Sequence, residues 1–204
     1  MTSLANRRSA ILLFSLPDCL HSHRTRLVIK EKENSAELHE IDITNISEEI
    51  KSISPYDDFP TLVDRELVLQ NSRVIIEYLD ERFPHPPLLP VDPVARAKFR
   101  LALDRIEHQW YPEFNDSYSN GTIDHLFVEK IKSYFLEIVP LISDNFFMSE
   151  DFGLVDCSLA PLLWRVKCLD IQLDKNKSII DKYSDRIFSR ESFQASLSET
   201  EKDI

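Results

Sequence analysis

A chain of 204 residues, 43% of them hydrophobic, is long enough to build one large domain or two small ones around a true core, and this excludes a disordered polypeptide. Its formal net charge of -11 and pI near 5.0 argue against a protein that itself grips phosphate backbones, because such affinity is built from clustered Lys and Arg. Only 2 glycines leave little material for a phosphate-cradling loop, no GxGxxG run occurs, and a mononucleotide-dependent enzyme is a poor fit.

Arg7-Arg8 ahead of AILLFSL imitates a secretory leader, with Cys19 in the place of a lipidated cysteine. Pro17 and Asp18 stand where small neutral residues are needed, no small-x-small cleavage site follows, and the apolar run is short. Ser9 to Phe14 reads instead as a buried first strand. No apolar stretch approaches the ~18 residues of a membrane span, and an odd count of 3 cysteines, Cys19, Cys157 and Cys168, points to a reducing cytoplasm. Leu20 to Glu33 reads as a helix carrying Leu27, Val28 and Ile29 among Arg24, Arg26 and Lys30. Glu37 to Ile43 alternates Leu38, Ile41 and Ile43 with polar residues, as a strand with one wetter face does.

Beyond an ill-defined segment up to Tyr56, Phe59-Pro60 opens an extended run, since the residue before a proline is biased away from the helical region and X-Pro is the bond where cis is cheap. Leu62 and Val63, then Leu67 to Leu69, make two short strands joined across Asp64-Arg65-Glu66. Asn71 or Ser72 caps a helix in which Ile75, Leu79 and Phe83 recur at helical spacing, and Pro84 stops it. The order β-α-β-α-β-β-α is that of a thioredoxin-like half with a mixed sheet and helices on both faces.

Pro86, Pro87, Pro90 and Pro93 form a stiff linker and mark the boundary between residues 1–86 and an all-helical domain over 87–204, expected to pack against the first. Val94 to about Trp110 carries a stripe of Phe99, Leu103 and Ile106, with Arg96, Lys98, Arg100 and Arg105 at wetter positions. The Asn, Ser and Gly content of Asn115 to Thr122 predicts a loop. Further helices follow over Ile123 to Leu141, Leu154 to Cys168 and Ile179 to Phe188, and then a polar tail. Gly153 stands at an N-cap, Asp156 is placed to accept its N–H in half of a capping box, and Pro161 should weaken or bend the helix it sits in. Trp164 reads as core.

The residues offer little catalytic chemistry. His21 and His23, two apart on a helix, point about 200° from each other, and His39, His108 and His125 have no partner at a metal-ligand spacing. No Ser-His-Asp arrangement, HExxH or paired-cysteine pattern appears, so neither a catalytic residue, a metal nor a cofactor is expected. Pro84, His85, Pro86 and Pro87 serve equally as a helix stop with a rigid linker and as a docking corner, because fixed φ angles lower the entropy cost of binding and His85 can donate, accept or stack.

The run from Phe59 to Pro90 resembles the end of the thioredoxin-like domain of the glutathione transferase fold. YLDERFPHPPLLPVDPVAR, DFGLVDCSLAPLLWR and RIFSRESFQASLSE resemble the stringent starvation protein A family of bacterial RNA polymerase-associated proteins, over about Arg8 to Glu199. The resemblance implies a thioredoxin-like domain followed by a helical one. It also implies a cytoplasmic, catalytically silent regulator that binds RNA polymerase holoenzyme in starvation or stress, with no membrane and no strong direct DNA binding. In that reading Pro84, His85, Pro86 and Pro87 contact the polymerase, and the helices from Ser72 and Val94 form a homodimer, or a heterodimer with a related protein. Phe59, Pro60, Asn71 and Ser72 are then a vestigial glutathione site, with Asn71 where an acidic residue would hold the tripeptide's amine. The alternatives are a dimeric scaffold for another assembly, or a glutathione-dependent thiol transferase using Cys19. Cys19-Leu20-His21-Ser22 resembles the start of the first helix in omega-type transferases and glutaredoxins, although Leu20 replaces the usual Pro.

Overall fold

The computed structural model describes residues 10–33, 35–56, 58–119, 123–142, 145–169, 171 and 177–203. Two compact units result: residues up to Pro86 together with Ala195–Ile204, and Pro87–Gln194. The helical domain expected to run to residue 204 is therefore corrected at its end, because the last ten residues belong to the first unit.

The first unit has the expected element order: β1 (Ile11–Ser15), α1 (Leu20–Glu31), β2 (Glu37–Glu40), α2 (Glu48–Ile53), β3 (Thr61–Asp64), β4 (Leu67–Leu69) and α3 (Ser72–Arg82). The sheet order is β2-β1-β3-β4, with β1 parallel to β2 and the other pairs antiparallel. Ser9, expected to begin the first strand, lies outside the described residues. Period-two alternation sends Leu12 and Phe14 to one face of β1, where they cluster with Ile41 and the α2 residues Ile50 and Ile53. Ile11 and Leu13 take the other face. The strand expected over Glu37–Ile43 ends at Glu40, since the Asp42 side chain accepts from the Thr44 N–H at 2.9 Å and folds the chain into a local turn. Between β3 and β4 only Arg65 and Glu66 remain unpaired, and Arg65 adopts φ 57°, where a side chain costs about 1 kcal/mol.

The second unit holds α4 (Pro93–Arg105), a π-helical turn (Ile106–Trp110), α5 (Tyr111–Ser119), α6 (His125–Ile138) with a 3-10 turn (Val139–Leu141), α7 (Leu154–Cys168) and α8 (Lys177–Phe188). α9 (Glu191–Ser196) and α10 (Glu199–Lys202) follow. Phe99, Leu103 and Ile106 form the expected buried stripe. The helix does not stop near Trp110. Tyr111 donates its N–H to the Ile106 carbonyl five residues back, and the helix resumes through Ser119. Pro112 accounts for the wide turn: it has no N–H to offer the His108 carbonyl and its ring crowds that group. Positions 115–119, expected as loop, are thus helical, held by Phe114, which is fully buried and stacks on Tyr118 at 5.6 Å. Asn120 to Thr122, the rest of that expected loop, lie outside the described residues. α7 runs through Pro161 without interruption. No helix among the described residues is long and apolar enough to cross a membrane.

Asp156 organises the start of α7. One carboxylate oxygen accepts from the Gly153 N–H at 2.8 Å, and the other accepts from the Phe147 N–H at 3.0 Å and the Tyr183 hydroxyl at 2.6 Å. Burial nevertheless raises its pKa from 3.8 to about 6, against the pull of those donors. A raised folded-state value means that the native protein holds this proton more tightly than the unfolded chain. The stability it contributes is fully present below about pH 4 and is lost as pH rises through 6, about 3 kcal/mol in all. Urea titrations of wild type and Asp156→Asn should show the wild type's advantage shrinking by that amount between about pH 4 and 7; an advantage that grows with pH would contradict the assignment.

Candidate functional site

α3 ends at Phe83, whose N–H still bonds the Leu79 carbonyl at 3.0 Å, and the chain then turns through Pro84, His85, Pro86 and Pro87, all four exposed. Both Phe59-Pro60 and His85-Pro86 are cis. Beneath the corner lies Lys32, whose side chain is wholly buried. Its ammonium donates to Asp80 Oδ1 at 2.6 Å and to the Pro86 carbonyl. A bare ammonium is among the most expensive groups to bury, so its acceptors are not interchangeable with water. The clamp joins the end of α1, the last turn of α3 and the backbone of the exposed corner within one unit.

Phe59, Pro60, Asn71 and Ser72, which the resemblance assigns to a vestigial glutathione site, lie in the same unit. Pro60 is buried ahead of β3. Asn71 is the N-cap of α3, its side-chain oxygen accepting from the Arg73 and Val74 N–H groups at 2.9 and 3.1 Å. The Ser72 hydroxyl accepts from Arg24 Nη2 at 2.5 Å and lies 3.0 Å from His21 Nδ1, with 5% of the residue exposed. Ser22, the other hydroxyl near the first helix, is buried and accepts from the Leu16 N–H at 3.0 Å, so it fastens the β1–α1 loop.

Cys19 is the N-cap of α1, partly exposed, and its side chain makes no capping bond. Cys157 is buried, and burial pushes the Cys168 thiol up. His21 and His23 diverge as their spacing requires: the first meets Ser72, and the second is buried with Nδ1 3.3 Å from Glu201 Oε1. Among the described residues no group of three or more His, Cys, Asp or Glu is placed to hold a metal ion.

The chain terminus, expected as a polar tail, is the part of this neighbourhood that sequence reasoning missed. Glu201 is fully buried and accepts from Arg26 Nη2 at 2.5 Å, while the same guanidinium reaches the Ser196 carbonyl at 2.8 Å and the Leu16 carbonyl at 3.0 Å. The Ser198 hydroxyl donates to the Pro17 carbonyl at 2.8 Å. A signal existed. Ser198-Glu199-Thr200-Glu201 has the spacing of a capping box, and both of its bonds form, Glu201 N–H to Ser198 Oγ at 3.1 Å and Ser198 N–H to Glu201 Oε2 at 3.0 Å.

The family model for the glutathione S-transferase N-terminal domain matches residues 13–87. The chain is 45% identical over 202 residues to the stringent starvation protein A homolog of Histophilus somni, covering 98% of this chain and 95% of that protein. It is also 45% identical over 203 residues to the stringent starvation protein A homolog of Coxiella burnetii, covering 97% and 96%. Glutathione transferase Omega 3C from Trametes versicolor aligns with a TM-score of 0.82 at 21% identity, covering 96% of this chain and 88% of that one. A glutathione S-transferase from the Antarctic clam Laternula elliptica aligns with a TM-score of 0.84 at 19% identity, covering 96% and 95%. At such identities the likeness shows the fold alone, which is glutathione transferase-like.

The clamp under the corner gives a direct test. Lys32→Met leaves Asp80 as a buried carboxylate without its ammonium and should cost about 3 kcal/mol or more in denaturant unfolding. The double change Lys32→Met with Asp80→Leu removes both charges and should recover a large part of that loss; a single variant as stable as wild type would show that the buried pair holds nothing.

Proposed function

Because the chain belongs to the stringent starvation protein A family, we propose that it is a stress-response transcription regulator of the cytoplasm that binds RNA polymerase holoenzyme and has no glutathione transferase activity. The observation that carries the reading is the corner at Pro84–Pro87: four exposed residues, three of them proline, over a buried Lys32–Asp80 clamp. A corner with fixed φ angles and a tethered carbonyl loses little conformational entropy when a partner docks. His85 at its apex offers a donor, an acceptor and a ring face. The chain's net charge of -11 suits a basic protein surface as partner and disfavours direct contact with nucleic acid.

Absence of transferase activity is supported by the occupancy of the transferase positions. In the reading inherited from the fold, Ser72 would meet the tripeptide carboxylate, yet its hydroxyl is engaged by Arg24 and His21, and Asn71 spends its side chain on capping α3. Dimerisation through α3 and α4 is the accompanying proposal, and both helices keep apolar side chains in water: Val74 is 51% exposed and Val94 64%. One observation favours the second reading, a thiol transferase: Cys19 sits partly exposed at the N-terminus of the 12-residue helix α1, with its side chain making no capping bond. Alkylation of Cys19 at about pH 6 far ahead of Cys157 and Cys168 would support that rival.

Co-purification with holoenzyme from starved cells tests the main reading. Pro84→Ala with His85→Ala leaves Pro86 and its clamped carbonyl in place, so melting should stay within a few degrees of wild type while polymerase recovery falls sharply. Recovery of wild type should also fall as salt rises. A folded double variant that retains polymerase fully would relocate the site, and a wild type that never co-purifies would overturn the function.

A further inference from the structure

At the edge of the sheet that β2 forms, the loop after β1 and the segment after β2 line a groove of about 480 Å³. Its apolar surface comes from Leu16 and Pro17 on one side and Ile41 and Ile43 on the other. Ile41 is buried, and Ile43 stands 59% exposed, a large aliphatic side chain left in water. The remaining lining residues are Asp18, Glu40 and Asp42, three carboxylates with no Lys or Arg beside them in the lining, so this short stretch of wall holds -3 of a net charge of -11. The Thr44 hydroxyl and N–H donate to Asp42 Oδ1 at 2.7 and 2.9 Å and hold that carboxyl below its ordinary range, which keeps it ionised.

Both walls are fastened. The Leu16 N–H donates to Ser22 Oγ at 3.0 Å, its carbonyl accepts from Arg26 Nη1 at 3.0 Å, and the Pro17 carbonyl accepts from the Ser198 hydroxyl at 2.8 Å. Opposite them the Ile41 N–H donates to the Ser15 carbonyl at 2.9 Å. A groove whose backbone is already fixed costs a ligand little ordering entropy. β2 is the last strand on its side of the sheet, so its outer edge carries backbone groups that no strand among the described residues pairs. Because the Ile41 N–H turns inward to β1, the period of two sends the Glu40 N–H and carbonyl outward, toward that edge. An acidic groove at an open strand edge fits an extended, basic chain and disfavours an acidic one. The dimer proposed above uses α3, which follows directly on β4 at the other edge of the sheet, so pairing through α3 leaves the β2 edge in water. The corner at His85 is tethered at Lys32, the C-cap of α1, whereas the groove borders the N-cap of that 12-residue helix, about 18 Å away.

We propose that this groove docks an extended basic segment of a partner protein, with one aliphatic side chain against Leu16, Pro17, Ile41 and Ile43 and a Lys or Arg two residues to either side meeting Asp18, Glu40 and Asp42. Side chains two apart lie on one face of an extended chain, about 6.6 Å from each other, which spaces the three contacts. The inference stands apart from the polymerase corner and neither needs the other. The probe is an acetylated and amidated pentapeptide, Lys-Ser-Leu-Ser-Lys, carrying an uncharged fluorophore and titrated with the full-length chain. Its anisotropy should saturate with a Kd below about 1 mM. Lys-Ser-Ser-Ser-Lys, which keeps both charges and loses the aliphatic anchor, should bind at least about fivefold more weakly, and Glu-Ser-Leu-Ser-Glu should not bind. Glu40→Lys should weaken the leucine peptide by about tenfold or more, whereas Glu66→Lys, the same change of charge in the β3–β4 turn, should leave it within about twofold. Ile43→Ser, at an exposed position, should remove most of the leucine preference, and it carries the test should Glu40→Lys fail to fold. Absence of saturation, equal binding of the two basic peptides, equal losses in the Glu40→Lys and Glu66→Lys chains, or an unchanged leucine preference in folded Ile43→Ser would each overturn the proposal. Displacement of the peptide by an equal concentration of spermidine would overturn it in favour of a polyamine, and an oligomeric mass that falls on Glu40→Lys in light scattering would overturn it in favour of a second copy of the chain.

Discussion

The ammonium of Lys32, buried with its whole side chain, is the constraint around which the first unit is arranged. A charge in that position survives only with short, well-directed acceptors, and the chain supplies one from a side chain and one from the backbone, Asp80 and the Pro86 carbonyl. The side-chain acceptor ties α1 to α3 and the backbone acceptor holds the turn that follows α3. Replacing the cation and its carboxylate by apolar residues would preserve much of the packing but not the directionality. The corner at His85 therefore takes its position from a buried polar group more than from contacts of its own.

The same logic runs through α1. His23, Arg24, Arg26, Glu31 and Lys32 are all buried, an unusual polar load for one helix of 12 residues and its C-cap. Arg26 distributes its donors over the Leu16 and Ser196 carbonyls and the Glu201 carboxylate, and Arg24 turns to Ser72. Each of these bonds fixes a segment that would otherwise be loose: the β1–α1 loop, the start of α3 and the end of the chain. Glu201 is at once the capping residue of α10 and the counter-charge of Arg26, so the last helix and the first are stabilised by one carboxylate.

Local chemistry made much of this legible in advance. The hairpin from Thr61 to Leu69, the α3 cap at Asn71, the stripe of Phe99, Leu103 and Ile106, and the full span of α7 follow from alternation, capping and helical period. The misses have two causes, local geometry such as the Asp42 turn that ends β2 and a partner farther along the chain that overrides a local signal. Loop-forming composition at 115–119 yields to Phe114 packing on Tyr118 and Phe127. The polar tail becomes structure because its partner, Arg26, lies 175 positions away from Glu201. The π turn was foreshadowed by Pro112, whose demand on the preceding turn is local, and the burial of Lys32 was not, since its acceptors are 48 and 54 residues distant.

Gly153 governs the backbone that follows the corner, at Leu88. Its φ of -138° is open to any residue, so conformational freedom is not what the position requires. What it requires is room: a Cβ there would stand 3.0 Å from the Leu88 carbonyl and 3.3 Å from the Phe99 ring. That carbonyl accepts the Leu154 N–H at 2.9 Å, so the backbone immediately after Pro87 is held against the start of α7. Glycine brings no side chain to cap the helix, and Asp156 supplies one half of a capping box by accepting the Gly153 N–H. Two carbonyls that follow His85 are thus held, Pro86 by Lys32 in the first unit and Leu88 by Leu154 in the second. A surface loop of ordinary composition would spend binding energy on becoming ordered. Here the carbonyl that follows His85 is already held by the Lys32 ammonium within the first unit, and the prolines on either side of His85 have little freedom left to lose.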